Sequence, residues 1–448
     1  MTATVTPPSR EQRPKTPFLV RRSPIFYGWV IVGLTFSTSM VTAGISGYGL
    51  SFFVVPMSEA LGVTRAEFSS ITLFRLAAIP LLPLLGLLVD KREGPRLVIV
   101  FGSAAAGLSL VASSFVQNML QFYLTFGIFF GVAMMAMGGQ LVGPAVLAKW
   151  FVKRRARVMA ISAIGISGGG FVIAPIAGQL VEQFGWRDAW VILGIGMILI
   201  ITPAAALFMR RQPSDVGLVP DGIPQANPAR EGMTAEEAAA LSSSEPYEYP
   251  WTVREAARTG AFWALLAAQV LSLASLMPIL FHQVAYMQDK GFDLGDATLA
   301  ATILAGFAIL GKIVYGAIVE RVHVRWVLAM SMIPAGLSVL FLVGSASLEM
   351  LLVYAVVHGL TMGGFMPLMN VALAQYFGRQ HMGAIRGAFT PLANIVGAVS
   401  PFGAGLMFER FGNYDISFVL AGAGWFFGGV IVLLAREPRE PTVVAKTL

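Results

Sequence analysis

Lys312 is the residue whose type and position most directly suggest chemistry. It interrupts an apolar run that begins at Leu310 and ends at the charged pair Glu320 and Arg321. Placing a lysine at the centre of a bilayer costs about 2.5–3.5 kcal/mol on insertion scales, so such residues usually serve a function. If the run is a membrane helix, Lys312 lies roughly 12 Å from Glu320 and near the midplane. There its ammonium can bind an anion from a cavity; the alternative is a structural lysine that snorkels or bonds to carbonyl groups.

Arg75 is a second cation within apolar sequence. It precedes Asp90, the predicted inner end of its helix, by roughly 22 Å of helix, which places it in the outer half of the membrane. It could attract an anion into the cavity, or pair with Glu67 or a helix terminus. No Asp or Glu lies inside the apolar windows of the sequence. Lys312 therefore lacks an obvious counter-ion within the membrane, and an anionic substrate could supply it.

Three further polar residues complete the predicted substrate-binding set: Tyr48, His358 and Asn394. Each alone is more often part of a helix–helix hydrogen bond than of a ligand site. The same holds for other polar residues of the windows, which are Gln140, His282, Tyr286, Tyr315 and Asn370. Because no buried acid can relay protons, a proton would pass through His358 or His282 or move with a weak-acid substrate. Anion exchange without protons is equally open.

The composition indicates an integral membrane protein. Of 448 residues, 56% are hydrophobic and only 12% are charged, whereas soluble proteins have about 25% charged residues. The sequence has no Cys, and its four His residues show no metal-ligand spacing, so no thiol chemistry, metal or other cofactor is expected. The net charge of +7 follows from the membrane topology and needs no nucleic-acid partner.

Apolar windows, each about long enough to cross a ~30 Å hydrocarbon core, predict twelve helices. They cover 27–53, 68–89, 97–116, 120–147, 158–181, 189–209, 261–287, 297–319, 326–345, 350–376, 387–408 and 416–435. Among the 31 Lys and Arg residues, only Arg65, Arg187, Lys290 and Arg410 fall in loops that follow odd-numbered helices. The positive-inside rule therefore predicts a multi-pass protein of the cell membrane with both termini in the cytoplasm.

The chain divides into two six-helix halves. A disordered cytoplasmic tail (1–26) precedes the first half (27–209), a cytoplasmic linker (210–260), the second half (261–435) and a C-terminal tail (436–448). Within the linker, capping-box spacing at Thr234 and a cap at Thr252 predict short helices over 234–241 and 253–258.

The two halves also share a sequence repeat. Gly178 and Glu182 in the first half recur as Gly405 and Glu409 in the second, among neighbours that recur in the same order. Six helices separate the copies, so both halves have the same orientation. This is a layout of secondary transporters that bind their substrate near the membrane midplane.

These features resemble the major facilitator superfamily over nearly the whole chain. The segment from Gly86 to Arg96 is similar to the family's Gly-x-x-x-Asp-Arg-x-Gly-x-Arg gate motif with one extra residue, and a degenerate copy follows Gly316. In that family such motifs form charge clusters that latch the cytoplasmic side. The resemblance implies an all-α fold of twelve transmembrane helices in two parallel halves. The gate residues it implies are Asp90, Lys91, Arg96, Glu320 and Arg321.

Within the superfamily, the segments 48–56, 149–155, 184–187 and 217–222 resemble the monocarboxylate transporter and oxalate:formate antiporter branch. In that branch a basic residue on helix eight, four residues before a glycine, binds the substrate carboxylate. Lys312 and Gly316 fit this pattern. Ala308 stands where the animal transporters carry an acid, helix one lacks their lysine, and the eleventh window lacks the lysine of the oxalate exchangers. The identity of the substrate therefore does not carry over.

We expect a secondary active transporter, and no enzyme, that moves a small mono- or dicarboxylate across the bilayer by alternating access. Transport would be coupled to protons or to a counter-anion. The alternative is an exporter of a neutral drug-like compound or metabolite, since a cationic substrate would predict a buried acid. A membrane enzyme or sensor would need a nucleophile–base pair, a metal cluster or a large extramembrane domain, and the sequence indicates none.

Overall fold

The protein is built from long helices, and its computed structural model describes residues 25–89, 91–137, 142–152, 154–222, 249, 251–378 and 382–438. The N-terminal half contains α1 (Gly28–Leu61), α2 (65–89), α3 (Gly94–Ser113), α4 (Met119–Trp150), α5 (155–184) and α6 (186–208). The C-terminal half contains α7 (Gly260–Asp289), α8 (Leu294–Ile318), α9 (Val324–Val343), α10 (Leu348–Phe377), α11 (Met382–Phe411) and α12 (Asp415–Leu434). The predicted all-α membrane architecture is confirmed.

Ten segments of the described chain are long and apolar enough to cross a membrane. Two local features explain the difference from twelve predicted helices. α5 and α6 lie in one segment, Arg157–Phe208, which is broken at Gly185, where φ is 79° and ψ is 166°. α2 consists of short α and 3-10 segments, one of which contains Pro80, so no single piece of it has spanning length. Each half is therefore consistent with the six predicted helices.

Contacts between helix termini identify the two ends of the bundle. The Tyr27 hydroxyl, just before α1, donates to the carbonyl oxygen of Phe208 at the end of α6 (2.8 Å). The Tyr376 hydroxyl on α10 likewise donates to the carbonyl oxygen of Ala435 after α12 (2.7 Å). We call this end, where the linker also begins, the inner end; it is the predicted cytoplasmic one. The opposite end, with the α1–α2, α7–α8 and α11–α12 loops, is the outer end.

Three π-helical segments distort helices of the N-terminal half. They are Gly44–Tyr48 in α1, Tyr123–Phe130 in α4 and Gly169–Ile173 in α5. A π turn changes the register of the side chains that follow it and is frequent at functional sites. The segments of α1 and α5 touch each other, since a Cβ on Gly169 would overlap the backbone of Gly44.

The described part of the linker contains one of its two predicted helices. Thr252 and Glu255 form a capping box that starts the short helix Val253–Ala256, which ends earlier than predicted. The helix predicted over 234–241 lies outside the described residues. At the start of the linker, the Asp221 carboxylate accepts hydrogen bonds from the backbone N–H groups of Val152 (2.9 Å) and Arg154 (3.3 Å).

α8 and α10 pack with almost no side chain between their backbones. A Cβ on Gly311 would overlap the carbonyl oxygen of Leu360, and one on Gly359 would overlap that of Leu304. Such close approach increases van der Waals contact between membrane helices, which lack a hydrophobic driving force for association. Gly316, further along α8, is exposed and has open space where a Cβ would be.

We expect Gly311→Val to destabilise the protein and Gly316→Val to leave its stability nearly unchanged. Both add the same side chain to α8, but only the first forces two helices apart, at a cost of about 1–3 kcal/mol for overpacking. Thermal unfolding of the purified protein in detergent, followed by tryptophan fluorescence, measures the difference. Equal melting temperatures for the two variants would contradict this packing.

Candidate functional site

The Lys312 side chain reaches from the C-terminal half to the N-terminal half. Its Nζ donates hydrogen bonds to Ser167 Oγ (2.7 Å) and to the carbonyl oxygen of Ala163 (3.2 Å), both on α5. The side chain is half-buried, and no carboxylate of the described residues forms an ion pair with it. An ammonium group has three N–H donors, so one remains for a further partner. The charge is thus held between the two halves.

Tyr48 lies beside the same polar pair. Its hydroxyl faces the Ser167 side chain, and the residue is buried in the π segment of α1. A Cβ on Gly170 would come within 2.8 Å of the Tyr48 ring and 2.7 Å of Ala305 Cβ, so α1, α5 and α8 meet at this glycine. The structure therefore brings the predicted residue Tyr48 to Lys312. It adds Ser167, which the sequence pattern did not distinguish from other helix serines.

Arg75 is enclosed in the N-terminal half and forms no ion pair with a carboxylate of the described residues. Its Nη1 donates to the carbonyl oxygen of Ser46 (3.1 Å), and its guanidinium lies 5.0 Å from the centre of the Phe126 ring. Nε and Nη2 are buried and have no hydrogen-bond partner in the described chain. Arg75 does not pair with Glu67, whose carboxylate accepts from the backbone N–H of Thr64 (2.9 Å). Two charged donors thus remain available inside this half.

The π segment Gly44–Tyr48 lies between the two cations. Ser46 offers its backbone oxygen to Arg75, whereas Tyr48, two residues later, faces Ser167 and through it Lys312. A ligand on Lys312 would therefore meet Tyr48 directly, while Arg75 lies beyond α1.

His358 and Asn394 lie apart from this site. His358 is fully buried in the C-terminal half, where its Nδ1 is 2.9 Å from Ser338 Oγ and 3.1 Å from the carbonyl oxygen of Ala335 on α9. Its ring stacks on Tyr354 of its own helix. Asn394 is exposed on the part of α11 nearer the inner end. Sequence alone could not place them, because residues on every side of these helices are largely apolar.

The four predicted gate residues that the structure describes are not in ion pairs across the inner end. Lys91, Glu320 and Arg321 are exposed, and Arg96 pairs with Glu93 of its own loop region (3.3 Å). Asp90 lies outside the described residues. Across the ranges given above, no ion pair joins the two halves at this end. The inner latch therefore stays a prediction.

The outer end is closed by contacts that the sequence analysis did not predict. Arg65 on α2 forms a bidentate ion pair with Asp289 on α7, in which Nη2 and Oδ1 are 2.7 Å apart. Its guanidinium also lies 4.1 Å from the centre of the Phe408 ring on α11. The Glu409 carboxylate accepts a hydrogen bond from the backbone N–H of Ala66 (3.1 Å). The scarcity of basic residues in the outer loops was a signal that could have singled out Arg65.

Gly178 and Gly405, the glycines of the sequence repeat, both allow close contact between the two halves. A Cβ on Gly178 of α5 would come within 2.9 Å of Thr298 Oγ1 on α8. A Cβ on Gly405 of α11 would come within 2.6 Å of Ala66 Cα on α2. Each glycine lets a helix of one half approach the other half near the outer end.

The sequence model of the Major Facilitator Superfamily matches the chain twice, over residues 34–293 and 264–447. The chain belongs to the major facilitator superfamily. The matches span both halves, and members of this family are transporters. The protein is therefore a multi-pass membrane transporter and not an enzyme.

Several of its relatives in this family are monocarboxylate transporters. Monocarboxylate transporter 12 of Homo sapiens is 25% identical over 453 residues, which cover 96% of this chain and 85% of the relative. Monocarboxylate transporter 6 of Homo sapiens is 24% identical over 439 residues, with coverage of 96% and 85%. Monocarboxylate transporter 13 of Rattus norvegicus is 24% identical over 414 residues, with coverage of 91% and 89%.

A solved structure shows the same fold. The crystal structure of a bacterial homolog to the human lysosomal transporter Spinster, in an inward-facing and unoccupied conformation, aligns with a TM-score of 0.61. The alignment covers 92% of this chain and 99% of that one at 15% sequence identity. At this identity the likeness concerns the fold alone.

We expect the bulky substitution Gly405→Leu to hold the outer end open and Gly403→Leu to leave it closed. The first side chain would overlap α2, whereas the second enters open space. Because the chain has no Cys, a single Thr72→Cys reports the opening. Thr72 is buried and donates to the carbonyl oxygen of Ala398 across the interface (2.6 Å).

The rate at which a soluble maleimide modifies this cysteine is the measurement. Modification should be at least about ten-fold faster in the Gly405→Leu background, a change of ~1.4 kcal/mol in the opening equilibrium. Equal rates in the two leucine backgrounds would show that Gly405 does not control the outer end.

Proposed function

We propose that the protein is a secondary active transporter that moves a small organic anion, a mono- or dicarboxylate, by alternating access. The observation that carries this proposal is the Lys312 ammonium, which lies between the halves without a described carboxylate. A charge in a low-dielectric environment is costly unless it is paired. A carboxylate substrate provides that pairing, so the cost of the unpaired charge favours its binding.

The groups around Lys312 suit a small carboxylate. The free ammonium hydrogen and the hydroxyls of Ser167 and Tyr48 can donate hydrogen bonds to carboxylate oxygens. The Tyr48 ring and the Ala305 methyl group pack against Gly170 beside these donors, so the surroundings of the site are partly apolar. Arg75, on the far side of α1, adds positive potential. Its Nε and Nη2 groups, which have no described partner, would reach the anion if the π segment Gly44–Tyr48 shifts.

The position of Lys312 couples the anion to the movement of the halves. The lysine belongs to α8 but bonds to α5, so an anion that accepts from the free ammonium hydrogen binds at the contact between the two halves. In the described arrangement the outer end is closed by Arg65 and Asp289. Opening it and closing the inner end would bring the charged loops of the two halves together. The residues of that inner latch would be Asp90, Lys91, Arg96, Glu320 and Arg321.

The names of the relatives make monocarboxylates the first substrates to test.

Coupling occurs either to a proton, carried with the weak acid or by a histidine, or to a counter-anion. The positive-inside pattern favours the cell membrane with both termini in the cytoplasm.

Uptake into liposomes that contain the purified protein tests the proposal. We expect accumulation of labelled lactate, pyruvate, formate or oxalate, measured with and without a pH gradient. Lys312→Met should lower uptake at least about ten-fold, equivalent to ~1.4 kcal/mol of lost substrate interaction, while Lys312→Arg should retain a substantial part. Lys290→Met, which removes a lysine at the outer end, is the control and should retain uptake.

The proposal is wrong if the parent protein takes up none of these anions, or if Lys312→Met keeps full uptake. Transport of a neutral compound that carboxylates do not inhibit would support the exporter alternative.

A further inference from the structure

His282 is fully buried where the two halves meet at the outer end. It lies on α7, and its Nε2 is 3.0 Å from the carbonyl oxygen of Pro401 on α11. The same nitrogen is 3.1 Å from Ser69 Oγ on α2 of the other half. Nδ1 is 2.8 Å from the hydroxyl of Tyr414, in the loop before α12. The imidazole thus joins both halves directly below the Arg65–Asp289 ion pair.

The partners define the protonation state of this imidazole. A carbonyl oxygen only accepts, so Nε2 carries the hydrogen. The Ser69 hydroxyl donates to the carbonyl oxygen of Arg65, and its oxygen is therefore free to accept from Nε2–H. The Tyr414 hydroxyl donates to Nδ1, and burial raises the pKa of that hydroxyl, so it keeps its proton. The closed outer end holds a neutral His282 whose two nitrogens are both satisfied.

The surroundings oppose a positive charge on the ring. The Arg65 guanidinium lies 5.4 Å from the centre of the Tyr414 ring, and Asp289 is already paired with it. No carboxylate of the described residues forms a hydrogen bond with the imidazole. The titratable and charged groups at the outer end of the elements packed against it are Tyr286 and Asp289 on α7, Lys290 directly after it, Arg65 and Glu67 on α2, Glu409 and Arg410 on α11, Tyr414, and Asp415 on α12. Arg75 of α2 and Arg386 of α11 lie further from this end.

We propose that His282 is a proton-binding site that opens the outer end. A second proton can be added only at Nδ1, where the Tyr414 hydroxyl would have to turn from donor to acceptor. The new charge would also be buried, with the Arg65 guanidinium nearby. The closed arrangement therefore disfavours the imidazolium. Once the halves separate at the outer end, water reaches the ring and hydrates the charge.

Proton binding and opening are linked, because the imidazolium is disfavoured in the closed form and hydrated in the open form. The open form binds the proton more tightly than the closed form, so acid shifts the equilibrium toward opening and alkali toward closure. Histidine ordinarily titrates between about pH 5 and pH 8, well above the range of exposed carboxylates. The inference rests on the alternating-access part of the proposed function and not on the identity of the anion.

A distance measurement on the full chain tests the proposal. Since the chain has no Cys, spin labels can be attached to single cysteines at Ala60 on α1 and Ile416 on α12, both exposed near the outer end. Pulsed electron resonance in lipid nanodiscs, without substrate, gives the populations of short and long distances. We expect the ratio of long to short to rise at least about ten-fold as the pH falls from about 8 to about 5.5.

Two glutamine variants identify the responsible group. His282→Gln can still donate to Pro401 but takes up no proton, so it should stay closed at both pH values. His358→Gln alters a second fully buried histidine of the described chain, whose described partners all lie in the C-terminal half. This variant should open as the parent does. Nitrogen NMR of the parent protein with labelled histidine needs no substitution at position 282. It should show a neutral Nε2–H tautomer in the closed form and an imidazolium in the open form.

Opening by acid that persists in His282→Gln would overturn the proposal, and so would an imidazolium in the closed form. Opening confined to pH values below about 4.5 would also overturn it, because carboxylates such as Asp289 titrate there. The distances between the two spin labels are measured without substrate and do not depend on carboxylate uptake. A negative uptake experiment and a negative result for the proton site can therefore be told apart.

Discussion

The cost of a positive charge in an apolar environment is the constraint on which the rest of the structure depends. Lys312 lies within the spanning helix α8 and Arg75 within α2, and neither has a carboxylate partner in the described chain. Hydroxyl and carbonyl groups reduce this cost but leave the charges themselves uncompensated. This unpaired charge at Lys312 is the feature on which the proposed binding of an anion rests.

Close backbone contacts determine where that charge can sit. Gly170 brings α1, α5 and α8 together beside Lys312, and the π segment Gly44–Tyr48 turns Tyr48 toward Ser167. Glycine contacts at the outer end allow the same approach between α11 and α2. Because these contacts lack intervening side chains, helices of the two halves lie close together both beside Lys312 and at the outer end. The proposed alternating access would separate them at the outer end.

Sequence patterns predicted the membrane architecture well because apolar length and positive-inside charge are properties of single helices. They also identified Lys312, since a lone cation in an apolar run needs no partner to be recognised. Sequence patterns could not predict contacts between distant segments. The bonds from Lys312 to Ser167 and from Arg65 to Asp289 join residues that are far apart in the chain. The location of His358 against α9 depends on helix rotation, which weakly amphipathic membrane helices do not reveal. The π segments, finally, have no distinctive composition.

Chemical rescue of the ammonium tests the central claim most directly. The chain has no Cys, so Lys312→Cys can be modified selectively with a reagent that attaches an aminoethyl group, and separately with one that attaches a neutral ethyl group. Carboxylate binding to the purified protein is then measured for the unmodified and the two modified forms. Our account predicts that binding is lost in Lys312→Cys and returns only with the positively charged group. Full binding by the unmodified cysteine variant, or equal rescue by the neutral group, would contradict it.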